Sequence, residues 1–203
     1  LSNCINMNFM NMTVKGTGFG VQGGAGVSFW YGVELDVTGL YAWFDSANSC
    51  YGPKGKHYWF NSRIIGRGTM TGATAYNSNC DESWLFGTEI IMMAGNVAGG
   101  TMYAVKSTKA RGDTHIYGGV VRVLSSSTSS ATTLVAVQAE NTGMVHVHGT
   151  GIDANATGAN LVIALSAITS GEIHANQSAY NLSAASGATI KRVSKDSTAH
   201  IHA

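Results

Sequence analysis

Charge is the scarcest thing in this chain. Only 11% of its 203 residues are Asp, Glu, Lys or Arg, against about 25% in an ordinary globular domain. The 12 basic and 11 acidic side chains leave a formal net charge of +1. No basic stripe points to nucleic acid, and no acidic run points to a solvating tail. Proline occurs once, which excludes collagen and proline-rich linkers. No apolar run approaches the ~20 residues that span a bilayer, so membrane insertion is not expected. Leu1-Ser2-Asn3-Cys4 lacks the charged start of a signal peptide. Cysteine is sparse and odd in number. Cys4, Cys50 and Cys80 share no metal-site spacing, which leaves either three buried reduced thiols or one disulfide and a free thiol.

What the chain does contain is glycine, 26 residues of it, within a composition that is 44% hydrophobic. Many Gly and Asn with a single Pro favour short strands joined by tight turns. No segment shows ten residues of 3.6 periodicity, and the strands are too close together for crossover helices. The length suits one domain, 1–203, with a substantial core. A surface of Ser, Thr, Asn and Gly suits neutral polyhydroxyl ligands, and equally suits packing against identical subunits.

A period runs through the whole chain. Trp30, Trp59, Trp84, His115, His146, His174 and His202 recur at near-regular spacing. In the second half Val137-Gln138-Ala139, Leu165-Ser166-Ala167 and Val193-Ser194-Lys195 repeat, as do Val145-His146, Ile173-His174 and Ile201-His202. A fixed period of this size marks a solenoid in which each coil lies on the one before. The expected fold is all-β, a right-handed parallel β-helix of about seven coils of ~28 residues. Alternation then assigns faces. Phe29, Tyr31, Val33, Leu35 and Val37 are expected in the core, with Ile116, Val120, Val145, Val147, Ile173 and Ala175 below them. Trp30, Trp59 and the histidines are expected on the outward face. Both ends cut through the repeat, so a fragment, or one subunit of a larger assembly, is expected.

The segments Gly143-Met144-Val145-His146-Val147-His148-Gly149, His57-Tyr58-Trp59-Phe60-Asn61-Ser62-Arg63 and Val135-Ala136-Val137-Gln138-Ala139-Glu140-Asn141 resemble coils of bacteriophage tailspike and tail-fibre proteins. Those are pectate-lyase-like parallel β-helices. The resemblance implies a homotrimer on a virion tail, outside the cell, that recognises bacterial surface polysaccharide and in many members cleaves it as a glycoside hydrolase or lyase. It carries over no catalytic residue, because no member's catalytic motif matches here. A non-catalytic structural segment of a fibre or extracellular filament is the alternative.

Glu34 and Asp36 form the best carboxylate pair. At i, i+2 on a strand they point the same way, roughly 6.5–7 Å apart, near the spacing inverting glycosidases use. With Trp30 and Trp59 as sugar platforms, and Asn61 and Arg63 one coil on, they outline a groove in which Glu34 and Asp36 act as acid and base. The competing reading is an ordinary ion pair between Glu34 and Arg63 on adjacent coils. Asp45 beside Trp43 and Phe44, the loop from Ser46 to Lys56, and Asp81-Glu82 before Trp84 are weaker candidates at coil corners. The histidine column invites a metal ladder, but few carboxylates accompany it, so neither a metal nor any cofactor is expected. Gly16-Thr17-Gly18-Phe19-Gly20 and Gly23-Gly24-Ala25-Gly26 lack the context of a nucleotide fingerprint and read as turns.

Overall fold

The computed structural model describes residues 7–24, 26–45, 55–79, 81–95, 100–108, 112–125, 133–157, 161–184 and 187–203. Cys4, Cys50 and Cys80, Ala25, the loop from Ser46 to Lys54, and all but the first residue of the serine-rich stretch at Ser125–Ser130 lie outside them. Every regular element of the described chain is a strand, and every strand pair is parallel. The expected β-solenoid is therefore the observed architecture.

Three ladders surround the core. The first is a separate sheet of eight strands: β1 (Met7–Met10), β3 (Val27–Tyr31), β5 (Lys56–Phe60), β8 (Glu82–Phe86), β11 (Asp113–Tyr117), β14 (Met144–His148), β17 (Glu172–Asn176) and β20 (His200–His202). Eight rungs differ slightly from the seven coils expected. The second ladder starts on the front half of β4 (Glu34–Asp45). It continues through β6 (Arg63–Gly68), β9 (Glu89–Ala94), β12 (Val120–Ser125), β15 (Gly151–Ala156) and β18 (Ala179–Ala184). The third starts on the back half of β4. It runs through β7 (Thr74–Ser78), β10 (Thr101–Thr108), β13 (Thr133–Glu140), β16 (Leu161–Ile168) and β19 (Thr189–Lys195). The unbroken β4 joins the two ladders into one sheet.

The turn from the first ladder into the second is made at a residue with positive φ, followed on one coil by a second, Gly119. The corner residue is Asn11, Gly32, Asn61, Gly87, Gly118, Gly149 or Gln177 on successive coils. A left-handed residue bends the chain sharply, and Gly and Asn reach that conformation at little cost. Its backbone N–H still bonds to the carbonyl one coil on, as in Gly32 to Phe60 at 2.9 Å and Asn61 to Phe86 at 2.9 Å. The parallel ladder thus passes the corner without losing a hydrogen bond.

This corner explains the main error of the sequence reading. Straight alternation from Phe29 to Val37 puts Phe29 and Tyr31 on the face of Val33, but Gly32 resets the phase. Trp30 and Val33 both point inward, three residues apart, while Tyr31 points out with 36% exposure. Phe29 and Tyr31 are therefore not core residues, whereas Val33, Leu35 and Val37 are. The rung register is Phe29, Tyr58, Trp84, His115, His146, His174, His202 on the outside and Trp30, Trp59, Leu85, Ile116, Val147, Ala175 on the inside. Aligning Trp59 with Trp84 was a slip of one residue, which exchanges the two faces of a strand. The repeats read in the second half stand: Val137 pairs with Leu165, Leu165 with Val193, and His146 with His174.

The core changes in kind along the rod. Trp30, Trp43, Trp59 and Tyr76 fill the first coils, with Trp30 stacked on Trp59 at 4.5 Å and Trp43 edge-on to both. Later coils use Val, Ile, Leu and Ala: Ile116, Val121, Val137, Val147, Ile152, Leu165 and Ile173 are fully enclosed. Burying each large aliphatic side chain contributes about 1.5–3 kcal/mol. The glycines from Gly16 to Gly20 lie inside β2 (Thr13–Gly23), which pairs with β4. They are not a turn. The ladder slips between Gly18 and Phe19, and a Cβ on Gly20 would stand 2.1 Å from the Ala42 carbonyl oxygen. Glycine there lets the two long strands bend together.

Candidate functional site

Glu34 and Asp36 do share the outward face of β4, and each is met by an arginine. Arg67 on β6 grips Asp36 with two hydrogen bonds, Nε to Oδ1 at 2.7 Å and Nη2 to Oδ2 at 3.0 Å. This holds the Asp36 carboxyl below its usual range, and burial only partly opposes the effect. Arg63 lies 3.7 Å from Glu34 and 2.8 Å from Glu89. Arg122 on β12 continues the row, at 2.5 Å from Glu89 and 3.0 Å from Asp153. Charges thus alternate from coil to coil, Glu34, Arg63 and Glu89 in one register column and Arg122 and Asp153 in the column two residues on, where like charges in register would repel. A general acid in a glycosidase needs a raised pKa; Asp36 is shifted the other way.

Trp30 and Trp59 do not join these carboxylates. They are 2% and 0% exposed, so neither presents a ring face to a sugar. Asn61 stands at the corner with φ 46°, where its conformation serves the turn. The groove outlined from the sequence is therefore divided between the core, the corner and an ion-pair row.

The weaker candidates separate as well. Glu82 on β8 pairs with Lys56 at 3.5 Å. Asp45 ends β4. Asp81 is fully buried, and its partners form a chain that the sequence reading missed. Asp81 accepts from the Gly55 N–H at 2.8 Å and from His57 Nε2 at 3.1 Å. His57 Nδ1 lies 2.7 Å from Ser28 Oγ, and the Trp30 Nε1–H donates to that oxygen at 2.7 Å. The carboxylate keeps the proton on Nε2, so Nδ1 receives the Ser28 hydroxyl.

Ser, His and Asp in a row suggest nucleophilic chemistry. The surroundings argue for a structural role. The adjoining cavity, lined by Ser28, His57, Trp30, Trp43, Gly23 and Gly24, measures about 20 Å³, space for about one water. The register was available as a signal, since Ser28 and His57 flank the aligned pair Trp30 and Trp59.

The outward face of the first ladder is lined with rings. One column runs Phe29, Tyr58, Trp84, His115, His146, His174, His202, with centroids 4.4–5.6 Å apart from rung to rung and planes within 13°. Beside it run Tyr31, Phe60, Phe86, Tyr117 and His148, stacked at 4.8–5.2 Å. Each ring covers its neighbour's face, so solvent meets edges, including phenol hydroxyls and ring N–H groups. Burial, followed by the neighbouring His115, lowers the pKa of His146, while Asp113 opposes the shift.

Two carboxylates do accompany the histidines. Asp113 Oδ1 lies 3.2 Å from His115 Nε2 and 3.5 Å from His146 Nε2. Two rungs on, Glu172 Oε1 lies 2.8 Å from His174 Nε2 and 3.6 Å from His202 Nε2. Both acids stand two residues before a histidine on the same strand face, a pattern legible in Asp113-Thr114-His115 and Glu172-Ile173-His174. No family model, curated protein or solved structure matches this chain.

Proposed function

We propose that this protein binds bacterial surface polysaccharide along the ring-lined face of its first ladder, in the manner of a phage tailspike or tail-fibre receptor-binding segment, and holds the polymer without cleaving it. The continuous edge-on face carries this reading. Its charges are confined to one edge, Lys56, Glu82, Asp113 and Glu172, and beside them it offers Tyr31, Tyr58 and Tyr117 hydroxyls and ring N–H groups to a neutral polyhydroxyl chain. Rungs about 4.8 Å apart repeat on the scale of a sugar unit. Stacking on ring faces is not part of the proposal, because those faces are covered. Binding without cleavage follows from the arginines that hold Glu34 and Asp36.

The alternative, a structural fibre segment, draws on the same ladders, since stacked rings and alternating charges also hold coils in register. Retention on immobilised capsular and lipopolysaccharide glycans separates the two. Replacing Tyr31, Tyr58 and Tyr117 together by Phe keeps the stack and removes three hydroxyls. Each hydrogen bond contributes about 0.5–1.5 kcal/mol, so glycan affinity is expected to fall at least about tenfold with the melting temperature nearly unchanged. No retention of the wild-type protein leaves the structural reading in its place. Release of oligosaccharide overturns binding without cleavage.

A further inference from the structure

We infer that the first ladder carries two sites for a divalent transition-metal ion of the zinc class, one formed by Asp113, His115 and His146 and the other by Glu172, His174 and His202. This does not rest on polysaccharide binding and is tested apart from it.

The argument begins with geometry. Two ligands of a tetrahedral ion, each at ~2.0–2.1 Å, stand ~3.3–3.4 Å apart. The carboxylate-to-nitrogen distances are 3.2 and 3.5 Å in the first cluster and 2.8 and 3.6 Å in the second. All three donor atoms of each cluster lie within 4.8 Å of one another. As hydrogen bonds, the longer contacts are at the limit; as edges of a coordination tetrahedron, 3.2, 3.5 and 3.6 Å are close to what an ion needs, while the 2.8 Å contact must lengthen and the two stacked imidazoles of each cluster must tilt toward each other to share the ion.

Recurrence is the second observation. The acid is Asp in one cluster and Glu in the other, yet both occupy the same outward column, in register through Met144. The two histidines of each cluster stack on adjacent rungs, at 4.4 and 4.8 Å between ring centroids. The backbone therefore brings each ligand set together before any ion arrives, and side-chain rotation alone has to complete it.

Chemistry gives the class. Two imidazoles and one carboxylate suit zinc, and also cobalt, nickel or copper, far better than calcium or magnesium. Three protein ligands leave the fourth position to water or to a group from outside. The first cluster is the more enclosed: its side chains are about one-fifth exposed, whereas His202 is 62% exposed. Asp113 also faces Glu82 on the preceding rung, and a cation there relieves the repulsion of two acids. The first site should therefore bind more tightly.

The test is calorimetric titration of ZnCl2 into untagged, chelator-treated protein, with CoCl2 absorption spectra as a second readout. Two ions per chain are expected, the first tighter, and Co2+ should give the visible bands of a four-coordinate site. Asp113→Asn and Glu172→Gln keep the rings stacked and remove one ligand each. Outer partners of metal ligands are already worth about 10–100-fold in affinity, so each variant should lose its own site by at least ~100-fold and retain the other. Circular dichroism of the metal-free variants should match the wild type. Absence of Zn2+ binding at micromolar ion overturns the inference, as does binding that survives the double variant. Loss of a single ion in Asp113→Asn, with no effect of Glu172→Gln, keeps the first site and overturns the second.

Discussion

The first coils and the last coils of this rod use the same backbone with opposite chemistry. On the outside of the first ladder the column begins with Phe29, Tyr58 and Trp84 and ends in four histidines. On the inside, one column over, it begins with Ser28, His57, Ser83 and Thr114 and ends in Val145, Ile173 and Ile201. Polarity moves from inside to outside as the chain descends. The early coils enclose three indoles, and an indole N–H in the core needs a partner. Trp30 has one in Ser28, which leads to His57 and Asp81. Trp43 and Trp59 have no hydrogen-bond partner for their N–H among the described residues. The late coils replace these inward groups by aliphatic ones, and of their buried polar side chains Thr150 donates to backbone carbonyls at the corner. Parallel register is indifferent to this exchange, because the ladder bonds are all backbone.

Large-to-small changes test the comparison most severely. Trp59→Ala removes a ring packed against Trp30, Trp43 and Tyr76 and should cost about 3–5 kcal/mol. Ile116→Val, two rungs below in the same inward column, should cost about 0.5–1.5 kcal/mol. Equal shifts of the urea midpoint would mean that the aromatic end is no more tightly packed than the aliphatic one. Next in size is His57→Val, which places a late-coil residue among early-coil partners. It strips Asp81 and Ser28 of the imidazole between them and should cost roughly 3 kcal/mol. Adding Asp81→Leu should recover part of that loss in the same unfolding assay. The smallest effect is expected at the crossover rung. Thr114 is fully buried, and its hydroxyl has no partner among the described residues. Thr114→Val adopts the choice already made at Val145 and should leave stability unchanged or raise it by up to about 1 kcal/mol. A clear drop in melting temperature would show that the hydroxyl is satisfied after all.

The solenoid was legible because its signal is a period, and a period survives errors in any single coil. The later rungs were read in register, since 28-residue spacings repeat there without interruption. In the early rungs residue type misleads by one position: Trp59 resembles Trp84, but Tyr58 is its partner in register. The corner column was available too: Gly32, Asn61, Gly87, Gly118 and Gly149 follow the same period. Recognised as left-handed corners, they would have placed Trp30 and Trp59 inside. The proposed groove failed on that point. Glu34 and Arg63 were correctly weighed as an ion pair on adjacent coils, whereas Arg67 as the partner of Asp36 was not foreseen. Its reach depends on a long side chain crossing from one rung to the one before.

Composition and spacing alone determined that this chain stacks parallel coils, that its surface carries little charge, and that histidines form an outward column in the second half. These follow from the two-residue alternation of a strand and from repetition, both written in the order of residues. Only the tertiary structure decided which face each early aromatic takes. A single left-handed residue at a corner changes the phase of everything on one side of it, and a Gly or Asn in the sequence marks such a corner only once the coils have been aligned. It also decided that Asp113 and Glu172 each meet two imidazoles from adjacent rungs, because distances between side chains on different coils exist only once the coils are laid one upon another.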